Sequence, residues 1–433
     1  MRVLAILLIL ALFATSYAAA QVVFSDDFES YRGQQQFEQY DNPSDPFDPI
    51  WLTLGVWHGQ IAPPNLQLIN IVNPYTHPAY TGDPYLPQPS DAKAHSGQQS
   101  LWLKAGAHRA NFLNLSAPLG TGAYVDWWFY DTGSAGKQAN AWVELLYYTN
   151  GLLDVGAGVT TGQVESFSLG AASFDPKANR NAYQVRGDIS DPAYYPSDSF
   201  ASQGGGAATW ANFSGTTRSA GWHHAAIWLW KPNEVLFILD GATKIEPRNP
   251  AYGATTVRIR GLASNATDFY FDDVTVGAGI PPAMPRSNTA CAVTLTDFTG
   301  DYSLVSLQVE IRQPDDLQPL EVQQVSPDTS GSVQVALPVG RWDLAFKADR
   351  SLRRVLRSVN VPASGTLNVS LLGGDADGDN EVSLFDFGKL VAAFGTLYGD
   401  PGYDPATDFD GDGEISLFDF GILVRNFGLV GDE

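Results

Sequence analysis

The stretch Asp408–Asp419 reads DFDGDGEISLFD and places five acidic residues within twelve positions. A similar stretch, DADGDNEVSLFD, spans Asp375–Asp386, and the two repeats share 15 of 21 residues when aligned from their first aspartates. A repeat this close indicates two copies of one structural unit. Because so many carboxylates repel one another, each copy is expected to hold a cation.

Both copies have the spacing of a calcium-binding EF-hand loop. Oxygen-bearing side chains occupy positions 1, 3, 5, 9 and 12, and the backbone carbonyl of position 7 completes the predicted ligand set. In the first loop these residues are Asp375, Asp377, Asp379, Ser383 and Asp386, with the carbonyl of Glu381. In the second loop they are Asp408, Asp410, Asp412, Ser416 and Asp419, with the carbonyl of Glu414. Such a loop turns its oxygens onto one hard cation, so we predict Ca²⁺ in both copies.

An apolar pattern of helical period follows each loop, whereas none precedes it. The residues on the predicted helix faces are Phe387, Leu390, Val391 and Phe394, then Phe420, Leu423, Val424 and Phe427. This loop-then-helix duplication, with Asp at position 12, resembles a type I dockerin, the module that attaches exported polysaccharide-degrading proteins to a cohesin. The resemblance implies a calcium module over residues 373–433 with a cohesin-like partner.

Positions 10 and 11, where many dockerins have small or hydroxyl residues that contact the cohesin, differ from the familiar pattern. They are Leu384 and Phe385 in the first loop, and Leu417 and Phe418 in the second. These apolar residues depart from the surface that a standard cohesin contacts, whereas the calcium ligands keep the expected pattern. The alternative is that calcium fastens the helix pair to the protein's own β-sandwich, because so small a unit has little core of its own.

The N-terminus and the composition predict an exported protein. Residues 1–20 combine Arg2, an apolar run and the small residues Ala18 and Ala20, which is typical of a cleaved secretory signal peptide. The formal net charge of −22 argues against nucleic acid and anionic membranes as partners. Cys291 is the single cysteine, so no intramolecular disulfide can form. We expect a secreted or cell-surface protein with no further membrane span.

The rest of the chain predicts a mainly β fold. Short alternating apolar runs between Gly, Asn, Asp and Pro turns extend over residues 21–279 and predict a large antiparallel sandwich. A Pro-rich linker is predicted at 280–288, and a small second β-sandwich at 289–372. In the second sandwich, alternation on either side of Gly340 predicts a hairpin with Val333, Val335 and Leu337 on one strand and Trp342, Leu344 and Phe346 on the other.

Four short motifs give the first domain a resemblance to laminin-G-like, concanavalin-type jelly rolls. They are GWHHAAIWLW from Gly221, HSGQQSLWL from His95, DDFESY from Asp26 and FYFDDVTV from Phe269. In such folds the first and last strands often pair, and acidic residues on them can hold a structural calcium. The resemblance thus implies Glu29 with Asp272 or Asp273 as candidate ligands.

Aromatic residues on the predicted strands are the leading candidates for ligand contact, because sugar rings stack their C–H faces on indole and phenol rings. The candidates are Trp127, Trp128, Trp142, Tyr147, Tyr148, Trp228 and Trp230. Strand alternation places about half of such residues in the core. The predicted function is therefore binding of carbohydrate or cell-surface polysaccharide.

No catalytic residue is predicted. The chain lacks the E-x-D-x-x-E string of related jelly-roll hydrolases, and Glu144 and Asp126 are isolated acids on aromatic strands. His223 and His224 are adjacent on a strand and point to opposite faces, so they cannot chelate one metal together. One alternative is a component of polysaccharide breakdown that hydrolyses O-glycosyl bonds. The other is a structural protein of the cell envelope or of adhesion.

Overall fold

A computed structural model describes residues 21–29, 57–59, 88–106, 110–133, 137–148, 163–173, 179–189, 210–261 and 265–433. The predicted signal peptide lies outside these residues. The described chain divides into two compact units, residues 21–286 and residues 287–433. It is mainly β, as predicted, with only two α-helices among the described residues. No helix in these ranges is long and apolar enough to span a membrane.

The first unit is a two-sheet sandwich whose described strand pairs are antiparallel. Sheet A contains β1 (Gln21–Asp26), β3 (Gln88–Ser90), β4 (Ser100–Leu103), β6 (Ala123–Asp131), β11 (Gly221–Lys231), β12 (Glu234–Leu239), β13 (Ala242–Pro247) and β15 (Phe269–Ala278). Sheet B contains β2 (Trp57–Gly59), β5 (Ala110–Leu119), β7 (Asn140–Tyr148), β8 (Gln163–Ala172), β9 (Gln184–Ile189), β10 (Ala211–Asn212) and β14 (Ala254–Gly261).

The strand order explains why distant motifs meet. Sheet A has the order β13-β12-β11-β6-β15-β4-β3, with β1 also paired to β15, so the first and last strands of the unit are neighbours as the resemblance implied. Sheet B has the order β10-β9-β8-β7-β14-β5-β2. Alternate residues of both sheets form the core between them, for example Trp127 and Phe129 on β6 against Val143 and Leu145 on β7.

The Pro-rich segment after β15 is anchored to the first unit. The backbone N–H of Ala283 donates to Asp126 Oδ2 at 2.7 Å. Ile280, Ala283 and Met284 are all buried. This part of the predicted linker therefore packs on sheet A, since its apolar side chains are more stable out of water.

The second unit contains two further sheets. The three-stranded sheet has the order β19-β16-β22, with strands β16 (Arg286–Leu295), β19 (Ser332–Pro338) and β22 (Leu367–Leu371). The four-stranded sheet has the order β18-β17-β20-β21, with strands β17 (Leu307–Arg312), β18 (Pro319–Val325), β20 (Gly340–Ala348) and β21 (Arg354–Val361). A single 3₁₀ turn covers Tyr302–Leu304.

The predicted hairpin at Gly340 is wrong. The alternation was interpreted correctly, because the odd-numbered residues of β19 and the even-numbered ones of β20 from Trp342 are buried. However, β19 pairs in the three-stranded sheet, whereas β20 pairs with β17 and β21 in the other. Alternation identifies the buried face of a strand but says nothing about its partner. The chain at Gly340 thus passes from one sheet to the other.

Two helices complete the second unit, α1 (Leu384–Ala393) and α2 (Leu417–Asn426). Each begins at a serine of its acidic loop and has a capping box with the aspartate three residues later. Leu390 and Leu423 are buried in a common cluster that includes Leu352 of the sandwich. Phe387, Val391, Phe394, Val424 and Phe427 are exposed by more than a third, so the predicted apolar faces are only partly covered.

Candidate functional sites

The two acidic loops fold in the same way around their first aspartates. Asp375 accepts the backbone N–H of Gly378 at 2.7 Å through Oδ1 and that of Asn380 at 3.0 Å through Oδ2. The equivalent residues of the second loop, Asp408, Gly411 and Gly413, repeat this pattern. Asn380 and Gly413 both have positive φ, 73° and 88°, because position 6 reverses the chain at a left-handed residue.

Carboxylate oxygens converge within each loop. One oxygen from each of three side chains lies within 4.8 Å of the others, and the two groups are Asp375, Asp377 and Asp386, and Asp408, Asp410 and Asp412. Ligands on opposite sides of a Ca²⁺ ion are about 5 Å apart, so these separations fit calcium. Burial, and then the neighbouring Asp419 carboxylate, raise the pKa of Asp410 to about 6. A bound cation would relieve this crowding of negative charge.

The ligands predicted at position 12 also lie in the first turn of each helix. Asp386 Oδ2 accepts the backbone N–H of Ser383 at 2.7 Å, and Ser383 Oγ accepts that of Phe385 at 3.1 Å. Ser416 and Asp419 make the same contacts in the second loop. The loop and its helix are thus one unit, because the aspartate predicted as the last cation ligand also forms the capping box at the helix N-terminus. Direct ligation by the two serines and by the carbonyls of Glu381 and Glu414 stays a prediction.

The sandwich holds the second loop by its backbone. The carbonyl of Asp410 accepts the N–H groups of Thr299 at 2.7 Å and Gly300 at 3.2 Å. Gly411 has φ of 72°, and a Cβ there would overlap the Phe298 ring, so only glycine allows this approach. The C-terminal module therefore contacts the protein's own β-sandwich, and the role of calcium in fastening it there stays a prediction.

The proposed ligands of a structural calcium in the first unit surround the segment His95–Gln99. Glu29 Oε1 accepts the backbone N–H groups of Gln98 at 2.6 Å and Gln99 at 2.7 Å. Asp272 Oδ2 accepts that of His95 at 2.8 Å, and Asp273 Oδ2 lies 2.6 Å from the His95 ring. Over the described ranges, acidic groups close enough to hold a metal occur only in the two C-terminal loops. The carboxylates therefore hold the segment that precedes β4. Calcium bound by these residues stays a prediction.

Three of the aromatic candidates are core residues, which corrects their assignment as ligand contacts. Trp127 lies in the main core, Trp142 packs against Trp210, and Trp228 donates to the carbonyl of Gly122. All three are buried. Their large apolar rings gain more from burial than they would from a surface position.

The other candidates are only partly buried. Tyr147 stacks on Tyr252 with ring centroids 5.1 Å apart, and Trp230 Nε1 donates to Glu234 at 3.0 Å. Trp128 is stacked between two imidazoles, His95 at 3.8 Å and His224 at 4.2 Å. The side chain of Tyr148 lies outside the described residues.

A row of aromatic side chains crosses the outer face of sheet A, beside Trp128. We name it the aromatic row, and its members are Trp222 on β11, Tyr130 on β6, Tyr270 on β15 and Trp102 on β4. They are directly opposite one another in the strand register. Successive ring centroids are 5.4, 6.3 and 6.3 Å apart. The row faces outward because the residues on either side of Tyr130 and Tyr270 point into the core or towards it.

Two ammonium groups lie over rings of this row. Lys93 Nζ lies 4.9 Å from the centre of the Tyr130 ring, and Lys104 Nζ lies 5.8 Å from that of Trp102. Trp222, Tyr130 and Trp102 are partly exposed, whereas Tyr270 is buried between its neighbours. Sequence reasoning missed all four members, because their alignment depends on which strands are neighbours and in what register.

The isolated acids do not form a catalytic pair. Glu144 is on sheet B and forms a buried ion pair with Arg258. Burial raises its pKa, but Arg258 and Arg260 more than offset this, so the net pKa is lowered. Asp126 is on sheet A and contacts His224 Nε2 at 2.8 Å. The core residues on either side of each acid place the two carboxylates on the outer faces of opposite sheets, so they cannot face one glycosidic bond.

His223 and His224 point to opposite faces, as predicted. His223 Nδ1 lies 2.7 Å from Asp240 Oδ2, and its Nε2 lies 3.0 Å from the carbonyl oxygen of Ser219. Both nitrogens thus face oxygen acceptors, an arrangement that favours the imidazolium. Burial lowers the pKa of His223, but the hydrogen bonds to Asp240 and Ser219 outweigh it, so the net pKa is raised.

This contact predicts a pH dependence of stability. Because the folded-state pKa of His223 is raised, its contribution is complete below the unfolded value of about 6.5 and is lost as the pH rises through the folded value. We expect Asp240→Asn to cost about 1 kcal/mol at pH 5.5 and much less at pH 8.5. Asn tolerates the positive φ of 49° at this turn position, so the backbone is preserved. Urea unfolding at both pH values measures this, and an equal cost at both would contradict it.

Comparisons with known proteins find similar solved structures but assign the chain to no family. A scan against protein-family models finds no match, and no curated protein is similar. A type II cohesin–X-module–dockerin complex from Acetivibrio cellulolyticus is 22% identical over 34% of this chain and 97% of that one, with a TM-score of 0.29.

Two carbohydrate-related structures are more distant in sequence. Domain 4 of an extracellular arabinanase from Geobacillus stearothermophilus, in complex with arabinotriose, is 12% identical over 60% of this chain and 94% of that one, with a TM-score of 0.31. The lumenal domain of VIP36, bound to Ca²⁺ and Man2, is 11% identical over 42% and 76%, with a TM-score of 0.30. At these TM-scores the fold assignment depends on the strands and sheets described above.

Proposed function

We propose that this is an exported protein that binds polysaccharide through its first unit and is attached to a partner through a calcium-stabilised C-terminal module. The observation that carries the first half of the proposal is the aromatic row on sheet A. The repeated acidic loops, each followed by a helix, support the second half. The segment 1–20, with its signal-peptide pattern, supports export.

A glycan chain is the ligand that this row suits best. The three partly exposed rings of the row, Trp222, Tyr130 and Trp102, offer stacking surfaces to sugar rings. Lys93 and Lys104, which lie over the Tyr130 and Trp102 rings, can donate hydrogen bonds to sugar hydroxyl groups.

Calcium is the cation proposed for both loops. Hard oxygen ligands at EF-hand spacing suit it, and the converging oxygens lie at the separations that it requires. Bound there, the ion would supply the positive charge that four aspartates per loop lack. The aspartates of position 12 would then connect the ion to the N-termini of α1 and α2.

The two Leu–Phe pairs form the proposed attachment surface. Leu384, Phe385, Leu417 and Phe418 are 71–74% exposed, although the helices that they begin are packed against the sandwich on another face. Exposed large apolar residues in equivalent places of two repeats indicate a surface kept for a partner. A cohesin-like domain with an apolar face is the partner proposed.

The calcium proposal predicts that the second unit depends on its first aspartates. We expect Asp375→Ala with Asp408→Ala to abolish the stabilisation by calcium, worth about 2.7 kcal/mol per site at a hundredfold excess over the Kd. Thermal unfolding of the mature chain, with and without a chelator, measures the loss. Asp301→Ala with Asp328→Ala removes the same charge from exposed turns of this unit and serves as control. An unchanged melting temperature on adding a chelator to the native protein would contradict the proposal.

The glycan proposal is tested by co-sedimentation with insoluble polysaccharides, with an assay of reducing ends in the supernatant. We expect depletion of the protein without new reducing ends, and about tenfold weaker binding for Trp222→Ala. Ile245→Ala changes a 53% exposed apolar residue on β13 of the same sheet and should bind normally. New reducing ends would instead favour the hydrolase, and no binding to any substrate would favour the cell-envelope protein.

The attachment surface predicts a separate phenotype. Phe385→Asp with Phe418→Asp should abolish binding to a panel of cohesin domains while leaving the calcium-dependent melting temperature unchanged. Leu304→Asp with Leu317→Asp changes two other exposed apolar residues of the unit and is the matched control. Binding that survives the phenylalanine substitutions, or a panel in which no cohesin binds, would overturn this part.

A further inference from the structure

The two loops differ in the group that contacts their first aspartate. In the first loop, Lys347 Nζ lies 2.5 Å from Asp375 Oδ2. In the second loop, the phenol of Tyr403 donates to Asp408 Oδ2 at 2.6 Å. In both loops this same oxygen also accepts the backbone N–H of position 6. Equivalent oxygens therefore receive a charged donor in one loop and a neutral donor in the other.

Two other cationic side chains donate to backbone carbonyls of the loops. Lys389 Nζ donates to the carbonyl of Ala376 at 3.0 Å in the first loop, and Arg350 donates to that of Asp408 in the second. In the described part of the chain, Lys347 is the one cation that pairs with a carboxylate of either ligand set. Two ammonium groups thus contact the first loop, whereas one guanidinium group contacts the second loop.

Lys347 is fixed by the sandwich. It lies on β20, and its Nζ also donates to the carbonyl of Ser351 at 3.2 Å. The Asp375 side chain is fully buried and that of Lys347 is 17% exposed, so water screens the pair only weakly. The Lys347 ammonium group therefore already contacts Asp375 in the calcium-free loop, and the loop does not have to rearrange to form this ion pair.

We propose that Lys347 makes the first loop the weaker of the two calcium sites and keeps that loop docked when it is empty. This inference rests on the calcium binding proposed above. A carboxylate already paired with an ammonium attracts a second cation less, and EF-hand affinity follows the net charge of the ligands. When calcium leaves, the same ion pair still compensates the buried Asp375. The first loop would then lose its calcium at levels at which the second loop stays filled.

Isothermal titration of the calcium-free mature chain with Ca²⁺ tests this. We expect two binding events about tenfold apart in Kd, the order expected for one added charge near a partly solvated site. Lys347→Met should tighten the weaker event about tenfold and leave the stronger one unchanged. Lys347→Arg retains the charge and should keep the two events apart. Tyr403→Phe removes the neutral donor and should change either Kd by less than about threefold.

Thermal unfolding supplies a readout that a merely structural role for Lys347 would not give. Lys347→Met should lower the melting temperature in chelator, because buried Asp375 loses its partner. The extra stabilisation on adding calcium should then be larger than in the native protein. Two equal events in the native protein, or weaker binding in Lys347→Met, would overturn the inference. A native protein that takes up no calcium would overturn the proposed calcium module itself, and the two failures are thereby distinguished.

Discussion

The second unit depends on the compensation of buried negative charge. Asp375 and Asp408 are almost fully buried, and each stands at the start of a loop in which three further aspartates follow within twelve residues. Isolated carboxylates in such places would cost several kcal/mol each. The loops therefore fold so that every first aspartate accepts two backbone N–H groups and one side-chain donor. The negative charge of the other aspartates in each loop is left over, and a divalent cation would neutralise it.

The same constraint explains why the helices and the sandwich form one unit. The loops are too short to bury their own apolar residues, so Phe409 and Ile415 share a cluster with Leu352. Backbone hydrogen bonds from Thr299 and Arg353 reach the second and first loops respectively. Helix stability and docking to the sandwich are consequently coupled, and binding of the proposed calcium would be coupled to both, since each uses the geometry of the same two loops.

The first unit follows a different principle. Its stability comes from two antiparallel sheets that enclose a large apolar core, and some buried charges are compensated by ion pairs such as Arg218 with Asp131. Aromatic residues on the outer face of sheet A are not part of this core, and they form a surface. The aromatic row exists because four adjacent strands each place one aromatic residue at the same level of the sheet.

Local patterns in the sequence were sufficient for the mainly β class, the two acidic loops, the helices that follow them and the opposite orientations of His223 and His224. Each of these depends on residues close together in the chain, where spacing alone decides which side chains share a face or a loop. The burial of Trp127, Trp142 and Trp228, the sheet change at Gly340, the aromatic row and the Lys347–Asp375 pair were decided only by the tertiary structure. They depend on strand order, register and packing between segments distant in sequence, and alternation constrains none of these.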